Sequence, residues 1–269
     1  MLKTRVITAL VLIPATVAAV LLLETVWVAA VAAVFFLIGA WEWTRMAGIG
    51  GTNARLAYLA AIAAALLACY FLRATALPVI LAWTASLAWL GAFGLIAACQ
   101  AGRLDPARLR ARGFIGGVVL VPAFSSVVSL HAGPGRDLLL FLLILVWVAD
   151  SAAYFAGRRW GRSLLCSSVS PGKTREGLYA ALVGGLAAGM GYGALRGFTG
   201  VDFAQFLVLC LVTVLMSVVG DMLESLIKRS AGVKDSGSVL PGHGGMLDRI
   251  DSLTAAGPVF FTGVRLLGA

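Results

Sequence analysis

The sequence predicts an all-α integral membrane protein, a polytopic helical bundle of about nine transmembrane helices with its N-terminus inside and its C-terminus outside. Three observations carry this expectation. Apolar residues make up 61% of the 269-residue chain and charged residues only 12%, where a soluble domain carries roughly a quarter; the mean hydropathy is +0.98. Apolar runs recur along the whole chain, and about 18 such residues suffice to cross a hydrocarbon core as a helix. No ten-residue alternating pattern of the kind a membrane barrel needs is present.

Taken in order, the apolar runs fall at 5–23, 26–44, 55–73, 77–99, 114–131, 138–157, 178–196, 203–229 and 252–267, the last being short. The basic lead Lys3 and Arg5 before a long apolar run has the look of a secretory leader. A second run follows at once, so the first is expected to stay as a helix. Run 203–229 exceeds what a bilayer needs, and its charged end is expected to project into water on the cytoplasmic side. With the N-terminus inside, 17 of the 21 lysines and arginines fall on the inner side, leaving Arg73, Arg136, Arg196 and Arg265 outside. That asymmetry sets the orientation. It also explains the net charge of +9 without a nucleic-acid partner.

The charged motifs lie in the C-terminal half. Residues 1–135 are read as N-terminal scaffold helices and as the candidate surface of a homodimer; residues 136–269 are read as the catalytic half, its polar site facing the cytoplasm. Small residues through 178–196 (Gly184, Gly185, Gly189, Gly193) suit close helix packing. Trp27, Trp41 and Trp43 are expected to be interfacial anchors, and His131 an ordinary outer-loop residue. Cys69, Cys99, Cys166 and Cys210 form no CxxC pair and are expected to be packing residues, not a disulfide or zinc set.

The polar residues concentrate in the 31 residues from Asp221 to Asp251, with five carboxylates, four cations and one of the two histidines. Charges near membrane depth are expensive and are kept for a task. Asp221, Glu224, Ser225 and Lys228 lie at i, i+3, i+4 and i+7, on one helix face, and Asp248 and Asp251 repeat the i, i+3 spacing. Carboxylates from two helices suit Mg²⁺, which takes one or two of them together with substrate phosphates. Zinc is disfavoured, with no cysteine nearby and a single local histidine. His243, between Gly242 and Gly244, is read as a phosphate or base contact.

Two further stretches carry chemistry. Asp150 lies inside an apolar run and is followed by Tyr154 and by Arg158, Arg159 and Arg162 among glycines. Ser170-Pro171-Gly172-Lys173-Thr174 has a Gly-Lys-Thr core, but Ser167 stands where a P-loop needs its first glycine and no strand is expected before it, so a Walker motif is rejected. A lysine and a threonine just before a helix can still receive phosphate.

The run Ser225-Leu226-Ile227-Lys228-Arg229, Lys234-Asp235-x-Gly237 and Leu240-Pro241-Gly242-His243-Gly244-Gly245-Met246-x-Asp248-Arg249-Ile250-Asp251 resembles the signature of the phosphatidate cytidylyltransferases, or CDP-diacylglycerol synthases, without departure over its 27 residues. Asp150 with Tyr154, Gly157, Arg158 and Gly161, and Ser170, Pro171, Lys173, Thr174, Glu176 and Gly177, are similar to that family too. Gly172 and Arg175 stand where some members carry lysine and an aromatic residue.

The resemblance implies nucleotidyl transfer from CTP to phosphatidate in the bacterial cytoplasmic membrane, giving CDP-diacylglycerol and pyrophosphate for phospholipid synthesis, with Mg²⁺ as cofactor and K⁺ as a second cation. Asp221 and Asp248 are the leading metal-ligand candidates, with Asp251 and Glu224 in support. Lys173, Lys228, Arg229, Lys234 and Arg249 are expected to neutralise phosphates. Ser225, Asp235, Gly244 and Gly245 complete the substrate-binding set with Asp150, Tyr154, Arg158, Ser170, Thr174 and Glu176. A CDP-alcohol phosphotransferase is discounted because Asp248-Arg249-Ile250-Asp251 is followed by Ser252-Leu253-Thr254, not by that family's continuation. A transporter is disfavoured because the charges cluster in one half, whereas transporters pair two halves.

Overall fold

The computed structural model describes residues 2–105, 112–237, 239 and 244–268, with the main chain alone for 2–11. Nine helices lie among the described residues. They are α1 (Leu2–Leu22), α2 (Thr25–Met46), α3 (Thr52–Phe71), α4 (Leu77–Gln100), α5 (Arg112–Ala132), α6 (Arg136–Trp160), α7 (Arg175–Leu195), α8 (Gly200–Ser230) and α9 (Leu247–Leu267). Each coincides with one of the nine apolar runs. Seven of them, α2 to α8, are long and apolar enough to cross a membrane. The chain is a polytopic helical membrane protein.

One feature departs from the all-helical expectation. Leu164–Cys166 (β1) and Ser170–Thr174 (β2) pair as an antiparallel hairpin between α6 and α7. A short strand therefore does precede Lys173. It runs antiparallel to β2 and does not feed the helix, so the geometry differs from a P-loop.

The bundle is organised around α9, which packs against α8, α5, α4, α2 and α6. Its residues from Ser252 to Val264 are mostly buried although they include Ser252, Thr254 and Thr262. Two apolar clusters hold the helices together. One gathers Phe36, Trp43, Leu120, Phe124, Leu223, Ile227 and Leu247; the other Leu139, Leu142, Leu145, Phe206, Cys210 and Phe260. Both draw side chains from either side of the 135/136 division, so the scaffold portion and the catalytic portion share their cores.

The ends of α2, α4, α6 and α8 and the starts of α5, α7 and α9 come together at one end of the bundle. Arg112, the first residue of α5, donates to the carbonyls of Met46 at 3.3 Å and Ser230 at 3.1 Å. Gln100 at the end of α4 accepts from the Ser168 hydroxyl at 2.8 Å and from the Cys166 thiol at 3.1 Å, holding the hairpin turn.

At the opposite end His131 is not a loop residue. It is buried in the last turn of α5, where Nε2 meets the Val20 carbonyl at 3.0 Å and Nδ1 the Thr25 hydroxyl at 2.9 Å. The apolar run 114–131 already reached this residue, and these two bonds satisfy its imidazole inside the bundle. Trp43 likewise is no interfacial anchor. It is 1% exposed, and its indole N–H donates to the Arg112 carbonyl at 2.7 Å. Trp27 and Trp41 are exposed, and all four cysteines are free and buried.

Candidate active site

Polar side chains from α6, β2, α8 and α9 line one cavity of about 450 Å³ at the end of the bundle just described. Asp150 comes from the middle of α6. At 1.5 Å per residue it lies about 15 Å from that helix's end, and Asp221 lies about 14 Å from the end of α8. Carboxylates at such depth survive only where they face protein or water.

Local backbone chemistry sets the approach of these elements. A Cβ at Gly220 would come within 2.6 Å of the Asp251 carbonyl and 3.1 Å of the Ala255 Cβ. Glycine there lets α9 lie directly against α8, and so brings Asp221 and Asp251 to the same cavity. On the facing side, Thr174 ends β2 with an extended backbone and caps α7 by accepting from the Gly177 N–H at 3.1 Å, the ordinary means of satisfying a first-turn donor. Glu176 reaches back to the Ser163 N–H at 3.2 Å. Lys173 is thereby placed opposite α8, where its Nζ meets Asp221 Oδ2 at 2.6 Å. The Ser225 hydroxyl donates to Asp221 Oδ1 at 3.4 Å, and the Ser252 hydroxyl to Asp150 Oδ1 at 3.5 Å.

Asp248 is the most fully engaged carboxylate. Oδ1 accepts from Lys228 Nζ at 2.7 Å. Oδ2 lies 2.8 Å from the Gly245 N–H, 3.2 Å from the Ser236 N–H and 3.0 Å from the Ser236 hydroxyl. Gly244, at φ +82°, takes the left-handed conformation that glycine alone adopts readily, and so turns the chain to aim the next N–H at Asp248.

The structure therefore brings together Asp150, Tyr154, Arg158, Lys173, Thr174, Asp221, Asp248, Arg249 and Asp251 around the cavity. Arg158 donates to the Tyr154 hydroxyl at 3.1 Å. Others lie elsewhere. Glu224 is 3% exposed behind the cavity, 3.4 Å from Lys228 Nζ and beside Asp251. Lys228 is turned to Glu224 and Asp248. Arg229, Lys234 and Asp235 are exposed and Ser170 half-buried, and none of these four lines the cavity. His243 lies outside the described residues.

Sequence reasoning missed three participants. Glu42, in α2, accepts from the Met246 N–H at 2.9 Å, the Leu247 N–H at 2.8 Å and the Ser236 hydroxyl at 3.0 Å. A single carboxylate within Thr25–Met46 was the available signal, of the same kind that marked Asp150. Ser236 and Ser252 carried no signal beyond their place beside the aspartates.

With the geometry in view, the comparison with known proteins is direct. The model of the cytidylyltransferase family matches residues 3–267. The chain belongs to the cytidylyltransferase family. It is 40% identical over 267 residues to a phosphatidate cytidylyltransferase of Pseudomonas aeruginosa, covering 97% of this chain and 96% of that protein. A phosphatidate cytidylyltransferase of Haemophilus influenzae is 49% identical over 129 residues, 47% of this chain and 45% of that protein. One from Thermotoga maritima is 39% identical over 132 residues, 48% and 49% of the two chains. The carboxylates between Asp221 and Asp251 are divided between the cavity and the buried network around Asp248.

Proposed function

We propose that this protein transfers the cytidylyl group of CTP to phosphatidate, giving CDP-diacylglycerol and pyrophosphate, the activating step for phospholipid synthesis. The observation that carries this reading is the 40% identity with a phosphatidate cytidylyltransferase along 97% of the chain. The cavity suits the chemistry. A phosphate oxygen of phosphatidate attacks the α-phosphorus of CTP, the bond from that phosphorus to the bridging oxygen breaks, and pyrophosphate leaves with the electron pair. The nucleophile is already anionic, so no strong base is required. The protein's task is to hold two anions together and to meet the charge that gathers on the leaving group.

Lys173, Arg158 and Arg249 supply positive charge around the cavity, and the start of α7 adds main-chain N–H groups of the kind that receive phosphates. Lys228 holds the Asp248 carboxylate in place. Tyr154, Leu165, Leu178 and Val218 give the cavity an apolar wall suited to the lipid's glycerol and first methylenes.

Mg²⁺ fits the donors present, because they are carboxylate oxygens without sulfur and Asp221 already draws an ammonium group to 2.6 Å. Among the described residues no group of three or more histidine, cysteine or acidic side chains is arranged to hold a metal. One or two carboxylates with substrate phosphates suffice for Mg²⁺. Asp221 and Asp251, which share the cavity, are proposed to hold it, with Asp248 beside them and Glu224 next to Asp251 behind the cavity. When bound, Mg²⁺ would neutralise charge on the departing pyrophosphate. K⁺ is proposed as a second cation and a homodimer as the assembly. The cavity is proposed to face the cytoplasm of a bacterial inner membrane, where CTP is present.

The test is conversion of phosphatidate by the purified protein in detergent with CTP, Mg²⁺ and K⁺. The expected result is CDP-diacylglycerol and pyrophosphate in equal amounts, abolished by chelator and restored by added Mg²⁺; omitting K⁺ should lower the rate. Folded protein that makes no product under these conditions would overturn the assignment.

A further inference from the structure

The connection between α8 and α9 is anchored by a residue about two hundred positions earlier in the chain. Glu42 is 4% exposed, and both of its oxygens accept hydrogen bonds, from Met246 and Leu247 at the entry to α9 and from Ser236 at the exit from α8. The fit is close. A Cβ at either Gly237 or Gly245 would overlap the Glu42 carboxylate. A buried carboxylate is tolerated when several donors satisfy it, and here the donors are the main-chain groups that fix where Asp248 begins its turn of helix.

Ser236 ties this anchor to the site. Its hydroxyl oxygen lies 3.0 Å from Glu42 Oε2 and 3.0 Å from Asp248 Oδ2. A serine hydroxyl has one proton to donate, so it serves one carboxylate at a time. Asp248 keeps the Ser236 and Gly245 N–H groups in either case, and Glu42 keeps those of Met246 and Leu247. The hydroxyl can therefore serve either carboxylate, and it links Glu42 to Asp248 in one short chain.

We propose that Glu42 is a positioning residue for the transfer reaction: it fixes the two ends of the α8–α9 connection and, through Ser236, sets the orientation of Asp248. Glu42 does not line the cavity and touches no reacting atom. The inference rests on the reaction proposed above.

The experiment compares full-length wild type with Glu42→Gln, Ser236→Ala and the double variant, all purified as monodisperse protein in detergent. Rates of CDP-diacylglycerol formation are measured per folded molecule against CTP concentration. Glu42→Gln puts an amide donor against main-chain donors, and bonds to a charged acceptor are the stronger kind. The expected kcat is lower by about tenfold or more, with KM for CTP within about threefold of wild type. Ser236→Ala should lower kcat by about threefold, and the double variant should be no slower than Glu42→Gln, since one relay is being cut twice.

A packing role alone would lower the yield of folded protein and leave kcat per folded molecule unchanged. A Glu42→Gln kcat within about twofold of wild type, or a raised KM with unchanged kcat, overturns the proposal. If Glu42→Gln does not fold, Ser236→Ala decides, and a wild-type kcat there overturns it equally. Inactive wild type would instead overturn the proposed reaction, and this inference with it.

Discussion

Lys173 and Asp221 meet at 2.6 Å across the cavity, joining the β-hairpin to the middle of α8. The pair links these two elements, and both partners line the space where phosphates are expected. Removing the amine leaves Asp221 without its cation and removes a phosphate partner. Lys173→Met should lower the initial rate of CDP-diacylglycerol formation by about tenfold to a hundredfold. Lys173→Arg should recover part of it. A Lys173→Met rate equal to wild type would show that the ion pair is incidental.

Asp248 and Lys228 form a second, more buried pair at 2.7 Å, with Glu224 3.4 Å from the same ammonium group. Asp248→Asn keeps an acceptor for Gly245 but loses the charge at the rim of the cavity. It should slow product formation by about a hundredfold while the protein still folds. Lys228→Met removes the cation that Glu224 and Asp248 share. It should cost about 3 kcal/mol of stability, read as a lower thermal unfolding temperature in detergent. An unshifted unfolding temperature would mean that the pair is screened by water in solution.

The contact between α8 and α9 makes a prediction about glycine. Gly220→Ala drives a methyl group against the Asp251 carbonyl, whereas a Cβ at Gly91 in α4 meets nothing within 4 Å. Gly220→Ala should lose about 1–3 kcal/mol through overpacking and lower activity as Asp251 is pushed away from Asp221. Gly91→Ala should be neutral or stabilising by about 1 kcal/mol. Parallel thermal unfolding of the two variants distinguishes a specific contact from a general intolerance of alanine.

Orientation is testable because the native thiols are all buried. Val239 is exposed in the connection between α8 and α9. A Val239→Cys variant should react with a membrane-impermeant maleimide in inside-out vesicles and not in right-side-out ones. The reverse pattern would place the cavity on the outer face and remove its access to cytoplasmic CTP.

The helices were legible because hydropathy is a local signal: Thr25–Met46 and Gly200–Ser230 announce themselves by composition within a single window. The 27-residue run ending at Asp251 was equally plain, since its charges stand out against an apolar chain. Glu42 was not, although the chain around it is just as apolar, because its partners Ser236, Met246 and Leu247 lie at the far end of the sequence and nothing periodic links them. The hairpin was also hidden. Ser170-Pro171-Gly172-Lys173-Thr174 has no alternating pattern, and its pairing with Leu164–Cys166 depends on Gln100, which holds the turn from another helix. His131 was misplaced for a related reason: its imidazole is satisfied by α1 and α2, a contact invisible in its own neighbourhood.

The central place of α9 bears on how the protein is made. This helix is synthesised after the eight that precede it, five of which enclose it, and it is not among the seven apolar enough to enter a membrane by composition alone. Until α9 enters, five of the earlier helices lack the element they pack against. Asp248 and Asp251 both lie in α9, so its entry brings them to the cavity together. Until then a nascent chain has its seven long apolar helices but not the two α9 carboxylates of the cavity, so the cavity is completed last.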